Sequence, residues 1–79
     1  MYKVYVLYSK LINQYYIGHT ENLFKRLLRH NKGLVRSTKK GIPWVIVYQE
    51  SFGSKNDAYR RELKIKAYKK GGAFKRLLK

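Results

Sequence analysis

The stretch from Tyr15 to His30 holds the side chains best suited to chemistry. Tyr16 and His19 lie on a strand-like segment, and Arg26 and His30 follow on a segment with helical spacing. Residues four apart share one face of a helix, so Arg26 and His30 point the same way. A guanidinium can donate a forked pair of hydrogen bonds to a phosphate, and an imidazole can orient a phosphate or relay a proton. Either residue could equally be an ordinary surface residue of a basic protein.

Glu62 is the acidic residue without an obvious local role. Of the 4 acidic residues, Glu21 suits a helix dipole, Asp57 a helix cap, and Glu50 an exposed strand end. Glu62 falls in mid-helix beside the apolar face, where it could simply pair with Lys66. The alternative is a single carboxylate ligand for Mg²⁺, an ion that often takes only one or two protein carboxylates alongside phosphate oxygens.

Tyr5 and Tyr16 lie on two strands that are expected to pair, where side chains can reach a common face. A free phenol has a pKa of about 10 and is a poor base at neutral pH. We expect Arg26, His19 and a metal to lower that pKa enough for proton abstraction from water. Four other tyrosines are interpreted as packing or surface residues: Tyr2, Tyr48, Tyr59 and Tyr68.

The charge balance indicates a polyanionic partner. There are 19 Lys and Arg against 4 Asp and Glu, a formal net charge of +15. Nucleic acid is the first candidate, because its phosphates form a dense line of negative charge; a generally basic surface is the simpler alternative. A membrane is less favoured because no wide apolar helix face and no run of about 18 apolar residues is present. No cysteine is present, which excludes disulfides and thiolate zinc sites.

The pattern predicts one domain, residues 1–79, with a cytoplasmic location because no signal segment precedes the first strand. Strands are predicted at 3–9, 15–19 and 44–50, the last apolar enough to be central or buried, and helices at about 20–32, 55–70 and 73–79. Thr20 is the predicted N-cap of the first helix and Gly33 its stop. The predicted inward stripe of that helix consists of Leu23, Phe24, Leu27 and Leu28. The order β-β-α-β-α-α predicts an α+β fold.

Basic residues that could contact phosphates surround these elements. Residues 35–43 are predicted to form a loop rich in lysine and hydroxyl groups, which is either a phosphate contact or simply solvated. The candidate nucleic-acid-binding residues are Lys25, Arg29, Arg36, Lys39, Lys40 and Lys66.

Several of these motifs together resemble the GIY-YIG nucleases. Tyr16-Ile17-Gly18, Glu21-Asn22-Leu23, Arg26-Leu27 and His30-Asn31 resemble the second motif and first helix of that family. Lys3-Val4-Tyr5 stands in the place of the first motif, with its tyrosine but without its glycine or isoleucine. Arg61-Glu62-Leu63 and Ile65-Lys66 are similar to the metal-binding glutamate helix, and Gly41-Ile42-Pro43-Trp44 leads into a segment like the third strand of small bacterial members.

The resemblance implies a three-stranded antiparallel sheet flanked by helices and Mg²⁺- or Mn²⁺-dependent hydrolysis of phosphodiester bonds in DNA, as in repair or recombination. In that scheme Tyr5 or Tyr16 helps deprotonate water, Arg26 steadies the phosphate and Glu62 holds the metal. His19 would help to activate the tyrosine. A nuclease of this kind is expected to have the side chains of Tyr5, Tyr16, Arg26 and Glu62 facing one shared cleft, and their dispersal over different faces would count against it.

Two departures from the family pattern bear on this expectation. No asparagine follows the glutamate helix, where some relatives use one in catalysis. A separate DNA-binding domain is also not expected, so target specificity is low or comes from a partner protein. The alternatives are a non-catalytic nucleic-acid-binding module on the same fold and a small basic ribosome-associated protein.

Overall fold

Three antiparallel strands form one sheet in the computed structural model, which describes residues 1–69 and 71–78. The strands are β1 (Tyr2–Ser9), β2 (Gln14–Thr20) and β3 (Trp44–Phe52). Their order in the sheet is β2-β1-β3, so β1 is central and pairs with both neighbours. The predicted α+β class with an antiparallel three-stranded sheet is therefore confirmed.

Helices cover both faces of this sheet. They are α1 (Leu23–Asn31), a 3₁₀ helix (Arg36–Gly41), α2 (Lys55–Tyr68) and α3 (Gly72–Leu77). The first two pack on one face and α2 and α3 on the other. The 3₁₀ helix replaces most of the loop predicted at residues 35–43.

The alternation along β1 divides the core into two clusters. Val4 and Val6 pack with Ala58 and Ile65 on the α2 side, whereas Tyr5 packs with Leu23 and Trp44 on the α1 side. Because β1 is covered on both faces, residues 4–7 are almost fully buried. The phenol of Tyr5 is consequently a buried group, on the face away from α2.

The start of α1 differs from the prediction. Thr20 is the last residue of β2, paired with Lys3, and it is therefore held in an extended strand. The N-cap is Asn22, whose side chain accepts a hydrogen bond from the backbone N–H of Lys25 at 3.1 Å. Thr20 and Asn22 are both good N-cap residues, and the pairing of Thr20 with β1 prevents it from capping the helix.

The end of α1 was predicted correctly. Gly33 has φ of +77°, in the left-handed region that glycine adopts without steric cost. The backbone N–H of Leu34 then bonds to the carbonyl of Arg29 at 3.0 Å, which satisfies a carbonyl left free by the helix terminus.

Two packing predictions were wrong. Phe24 is 72% exposed and Leu28 44% exposed, because the inward positions of α1 are shared with Arg26 and His30. The third strand is an edge strand rather than a central one, and the outer side chain Val45 is 53% exposed.

The C-terminal helices follow the predicted order. Ser54 caps α2 by accepting from the N–H of Asp57 at 3.2 Å. The predicted ends of the last two helices, at Lys70 and Lys79, lie outside the described residues. None of the helices within 1–69 and 71–78 is long and apolar enough to cross a membrane.

Candidate active site

The ring of Tyr5 crosses directly over Gly18 on the neighbouring strand. The two residues are partners in the β1–β2 register. A Cβ atom at position 18 would lie 2.7 Å from the Tyr5 hydroxyl oxygen, closer than real Cβ contacts allow. The group that approaches Gly18 this closely is the candidate general base.

Four predicted site residues meet above this point and are called the tyrosine–histidine cluster: Tyr5, Tyr16, Arg26 and His30. The Tyr5 and Tyr16 rings pack edge-on with centroids 6.3 Å apart, and Tyr16 packs on His30 at 4.9 Å. The Tyr5 hydroxyl lies 3.3 Å from His30 Nε2. The hydroxyls of Tyr5 and Tyr16 raise the pKa of the Arg26 guanidinium beside them. Within residues 1–69 and 71–78, the buried Arg26 Nε has no hydrogen-bond partner.

The contacts of Thr38 favour one tautomer of His30. We assign the Thr38 hydroxyl as donor to the carbonyl of Val35 at 3.3 Å and as acceptor from His30 Nδ1, 2.7 Å away. A neutral imidazole has one N–H, and Nδ1 therefore holds it. Nε2 is left as the acceptor for the Tyr5 hydroxyl. The hydrogen bonds thus run from Tyr5 through His30 and Thr38 to the backbone.

The electrostatics of the cluster differ from the expectation for Tyr5. Burial raises the pKa of Tyr5 to about 12, although Arg26 beside it acts in the opposite direction. Arg26 lowers this pKa as predicted, but burial in the core outweighs it, so the net pKa of Tyr5 in the free protein is raised. Burial also lowers the pKa of His30 to about 4, and the charges of Arg26 and Arg29 lower it further. At neutral pH both Tyr5 and His30 are uncharged.

Replacing Thr38 by valine should release His30 from this tautomer. Valine keeps the shape of threonine but leaves the buried Nδ1–H of His30 without an acceptor, at a cost of about 1–3 kcal/mol in the free energy of unfolding. We expect Nε2–H to become populated, which nitrogen-15 NMR of the imidazole measures directly. Thr38→Ser keeps the hydroxyl and is the matched control. An unchanged tautomer in Thr38→Val would contradict the assignment.

His30 should make the protein sensitive to mild acid. Its folded pKa of about 4 is below the unfolded value, so between about pH 6.5 and 4 the unfolded chain binds a proton that the folded protein does not. The free energy of unfolding therefore falls as the pH decreases through this window, by on the order of 3 kcal/mol for this one group. NMR titration of the His30 ring should give a midpoint near pH 4, and a midpoint near 6.5 would refute the prediction.

Glu62 lies on the other face of β2 in a second group, called the glutamate triad: His19, Glu62 and Lys66. His19 Nδ1 bonds to one carboxylate oxygen of Glu62, and Lys66 Nζ lies 2.6 Å from the other. Side chains alternate along β2, so Gly18 faces Tyr5 and His19 faces Glu62.

The expectation that Tyr5, Tyr16, Arg26 and Glu62 face one shared cleft was therefore wrong, because strand alternation sends Glu62 and its partner His19 to the opposite face of β2. His19, which was expected to help activate the tyrosine, bonds to Glu62 instead. The two groups are still close enough that the charge of Glu62 contributes to raising the pKa of Tyr5.

The helix that carries Glu62 is fixed to β3 by Arg61. The Arg61 guanidinium contacts the Glu50 carboxylate, with Nη2 at 2.9 Å, and the Tyr48 hydroxyl donates to the same carboxylate. The expectation that Glu50 is exposed was wrong, because α2 packs over that end of β3. Arg61 and Glu50 therefore set the position from which Glu62 reaches the edge of the sheet.

The predicted phosphate-binding residues all have exposed side chains but are spread over several elements. Lys25 and Arg29 flank Arg26 on α1. Three others lie on the 3₁₀ helix: Arg36, Lys39 and Lys40. Lys66 is paired with Glu62, so its availability to phosphate depends on that carboxylate.

Sequence reasoning missed Thr38 and the residues that hold it. The Thr38 carbonyl accepts from Trp44 Nε1 at 2.7 Å, and the Asn31 side chain bonds both backbone groups of Trp44 at 2.7 and 3.0 Å. A Cβ at Gly41 would lie 2.5 Å from the Trp44 ring. Asn31, Gly41 and Trp44 were noted as parts of motifs, and here they hold the 3₁₀ helix against His30. No spacing rule links Thr38 to His30, eight residues earlier.

The donor set restricts the kind of metal that could bind. Within the described parts of the chain, no group of three or more His, Cys, Asp or Glu side chains could hold an ion. Glu62 offers one carboxylate. To bind an ion, this carboxylate would have to give up its contact with His19 or with Lys66. This fits Mg²⁺ or Mn²⁺ that keeps most of its waters, and not a zinc site with three or four protein ligands.

The fold and the cluster over Gly18 define a small nuclease-like domain of the GIY-YIG type. The chain belongs to the GIY-YIG family: the model described as "GIY-YIG catalytic domain" matches residues 1–75. Among its relatives is the UPF0213 protein SH2523 of Staphylococcus haemolyticus, 44% identical over 66 residues, which are 82% of this chain and 79% of that one. The UPF0213 protein VNG_2274C of Halobacterium salinarum is 37% identical over 67 residues, covering 84% and 86% of the two chains.

A solved structure agrees with this assignment. The solution NMR structure of the UPF0213 protein BH0048 from Bacillus halodurans superposes with a TM-score of 0.51 at 30% identity, covering 85% of this chain and 72% of that one. Residues 1–75, which the family model matches, contain β1, β2 and α1, the elements that form the tyrosine–histidine cluster.

Proposed function

We propose that this protein is a metal-dependent endonuclease that hydrolyses phosphodiester bonds in DNA. The observation that carries the proposal is the buried, unpartnered Nε of Arg26 (among the described residues), beside a tyrosine that is hydrogen-bonded to a neutral histidine. The guanidinium as a whole lies beside the Tyr5 and Tyr16 hydroxyls, and a forked donor in that position suits a phosphate oxygen.

Phosphate binding would also change the acid–base properties of the cluster. The charges of Arg26 and Arg29 contribute to the low pKa of His30. A phosphate bound between these residues offsets their charge, so His30 becomes a stronger base in the complex than in the free protein. Binding and activation of the base are thereby linked through the same guanidinium groups.

In the proposed reaction, a water oxygen forms a bond to phosphorus and the bond to the leaving oxygen breaks. Tyr5 is buried in the free protein, so this step requires that its hydroxyl opens to water in the substrate complex. There the water proton passes to the Tyr5 oxygen while the Tyr5 proton passes to His30 Nε2. This paired transfer avoids a free phenolate, which a pKa of about 12 makes scarce at neutral pH. Arg26 donates to the phosphate oxygens as their charge grows, and a water protonates the leaving oxygen.

Glu62 is the residue that would hold the divalent ion. Mg²⁺ or Mn²⁺ supplies charge stabilisation at the phosphate when it is bound. His19 keeps the carboxylate oriented before the exchange, and Lys66 neutralises it. Because Glu62 lies across β2 from Tyr5, the proposal requires a phosphate that lies over the edge strand at Gly18 and His19 and is reached from both faces.

A nicking assay tests the proposal. Purified protein is incubated with supercoiled plasmid and with labelled single-stranded, duplex and flap DNA, in Mg²⁺, in Mn²⁺ and in EDTA. We expect products only with the divalent ion, and loss of at least about a hundredfold in rate for Arg26→Ala. The matched control is Arg60→Ala, an exposed arginine of α2. Salt-sensitive binding without metal-dependent products would instead support the binding module, and cleavage by Arg26→Ala at the full rate would refute the site.

A further inference from the structure

One side of α2 next to the glutamate triad carries lysines and exposed apolar side chains. Lys55, Tyr59, Leu63 and Lys66 recur at helical spacing and lie on one stripe. Tyr59 is 49% exposed and Leu63 is 47% exposed. In a highly charged protein, an exposed aromatic ring between two lysines is a surface suited to unpaired bases and their phosphates.

Tyr59 is joined to the candidate active site through His19. The two rings pack edge-on with centroids 5.7 Å apart, and the same His19 bonds to Glu62. On another side of His19 lies a cavity of about 290 Å³ lined by Tyr2, His19, Thr20, Glu21 and Lys55. His19 is thus flanked by an aromatic ring and by an open concavity, while its nitrogen holds the carboxylate.

We propose that Tyr59 is a stacking surface for an unpaired base adjacent to the scissile phosphate, so that the substrate is single-stranded or locally unpaired nucleic acid. The inference rests on the proposed function, because it takes Glu62 to mark the position of the phosphate. A base can stack on a protein aromatic only if one of its faces is free, and in a duplex both faces are covered by neighbouring bases. Lys55 and Lys66 supply the positive charge that the flanking phosphates need.

The competing explanation is that Tyr59 only shields the His19–Glu62 hydrogen bond from water. Leucine at position 59 would preserve much of that shielding but remove the π face, and phenylalanine would preserve both. The comparison of the two variants therefore separates stacking from shielding.

The experiment measures binding in EDTA, where no metal-dependent cleavage occurs. Fluorescence anisotropy is recorded with a labelled DNA strand of about a dozen nucleotides, alone and annealed to its complement, at several salt concentrations. We expect Tyr59→Ala and Tyr59→Leu to weaken single-strand binding by roughly ten- to a hundredfold, and Tyr59→Phe to bind within about twofold of wild type. Duplex affinity should be unchanged.

Salt dependence and a control variant make the test specific. Tyr59→Ala removes no charge, so the slope of log affinity against log salt should not change. Lys55→Ala removes one phosphate contact and should make that slope shallower by about one or less. Leu63→Ala removes a neighbouring exposed apolar side chain and should have a much smaller effect. Backbone NMR spectra establish that each variant is folded.

The outcomes separate this inference from the proposed function. Equal losses for single strand and duplex, or full single-strand affinity in Tyr59→Leu, would overturn it. A wild-type protein that binds single strands through Tyr59 but never cleaves would refute the nuclease proposal alone. A protein that cleaves normally after Tyr59→Ala, with unchanged single-strand affinity, would refute the stacking surface alone.

Discussion

Replacing Glu62 by glutamine should reduce metal-dependent cleavage by about a thousandfold, or roughly 4 kcal/mol of transition-state stabilisation. Glutamine has nearly the same shape and can still bond to His19, but it lacks the charge that an ion requires. The loss is expected to be large because, within residues 1–69 and 71–78, no other acidic or histidine cluster could replace this carboxylate. Rates are measured with saturating DNA over a series of Mn²⁺ concentrations.

Two controls separate loss of the metal from loss of the fold. Asp57→Asn removes the same charge from an exposed position on the same helix and should leave the rate unchanged. Paramagnetic broadening by Mn²⁺ should reach the NMR signals of His19 in the wild type and not in Glu62→Gln. A Glu62→Gln protein that cleaves at the wild-type rate would remove this residue from the proposed site.

Replacing Tyr5 by phenylalanine should lower the cleavage rate by about a hundredfold or more, since proton transfer by a positioned group contributes on that scale. The ring still fills the space over Gly18, but His30 Nε2 loses its donor. A buried acceptor without a partner costs about 1–3 kcal/mol, so the free energy of unfolding should decrease at the same time. Single-turnover cleavage and urea unfolding measure the two effects separately.

Tyr8→Phe is the matched control for this variant. It removes a hydroxyl from the same strand but on the opposite face, where the group donates to the exposed Asn13. We expect normal cleavage from Tyr8→Phe. Full activity in Tyr5→Phe would instead assign the proton transfer to another group, of which Tyr16 is the nearest aromatic hydroxyl in the cluster.

Local patterns were sufficient for much of the scaffold. The pattern of residues 3–9 predicted the strand β1, because a strand repeats every two residues whatever surrounds it. Gly33 marked the end of α1 because a left-handed backbone conformation depends on a few neighbouring residues. The same local reasoning could not decide between Thr20 and Asn22 as a cap, since the pairing of Thr20 with β1 is a contact between distant residues.

Burial is where local patterns were insufficient. Phe24 and Leu28 fit an apolar stripe, yet both are exposed, while His30 on the same helix is completely buried. A short helix presents few inward positions, and Arg26 and His30 occupy part of them. The direction of the Tyr5 pKa was mispredicted for the same reason: the neighbouring cation was foreseen, but the enclosure of the phenol by two packed layers was not.

The junction between β2 and α1 depends both on local sequence patterns and on contacts between distant residues. Spacing along the chain brings Tyr16, Gly18, Arg26 and His30 to one strand-to-helix junction and identifies Glu62 as an acidic residue beside an apolar helix face. Sequence spacing does not predict two contacts that only the folded protein shows: Tyr5 over Gly18, and His30 with Thr38. Folding also pairs Glu62 with His19, on the opposite face of an edge strand from Tyr5. Protonation states and hydrogen-bond directions depend on such partners, and these come from distant parts of the chain that meet only in the folded protein.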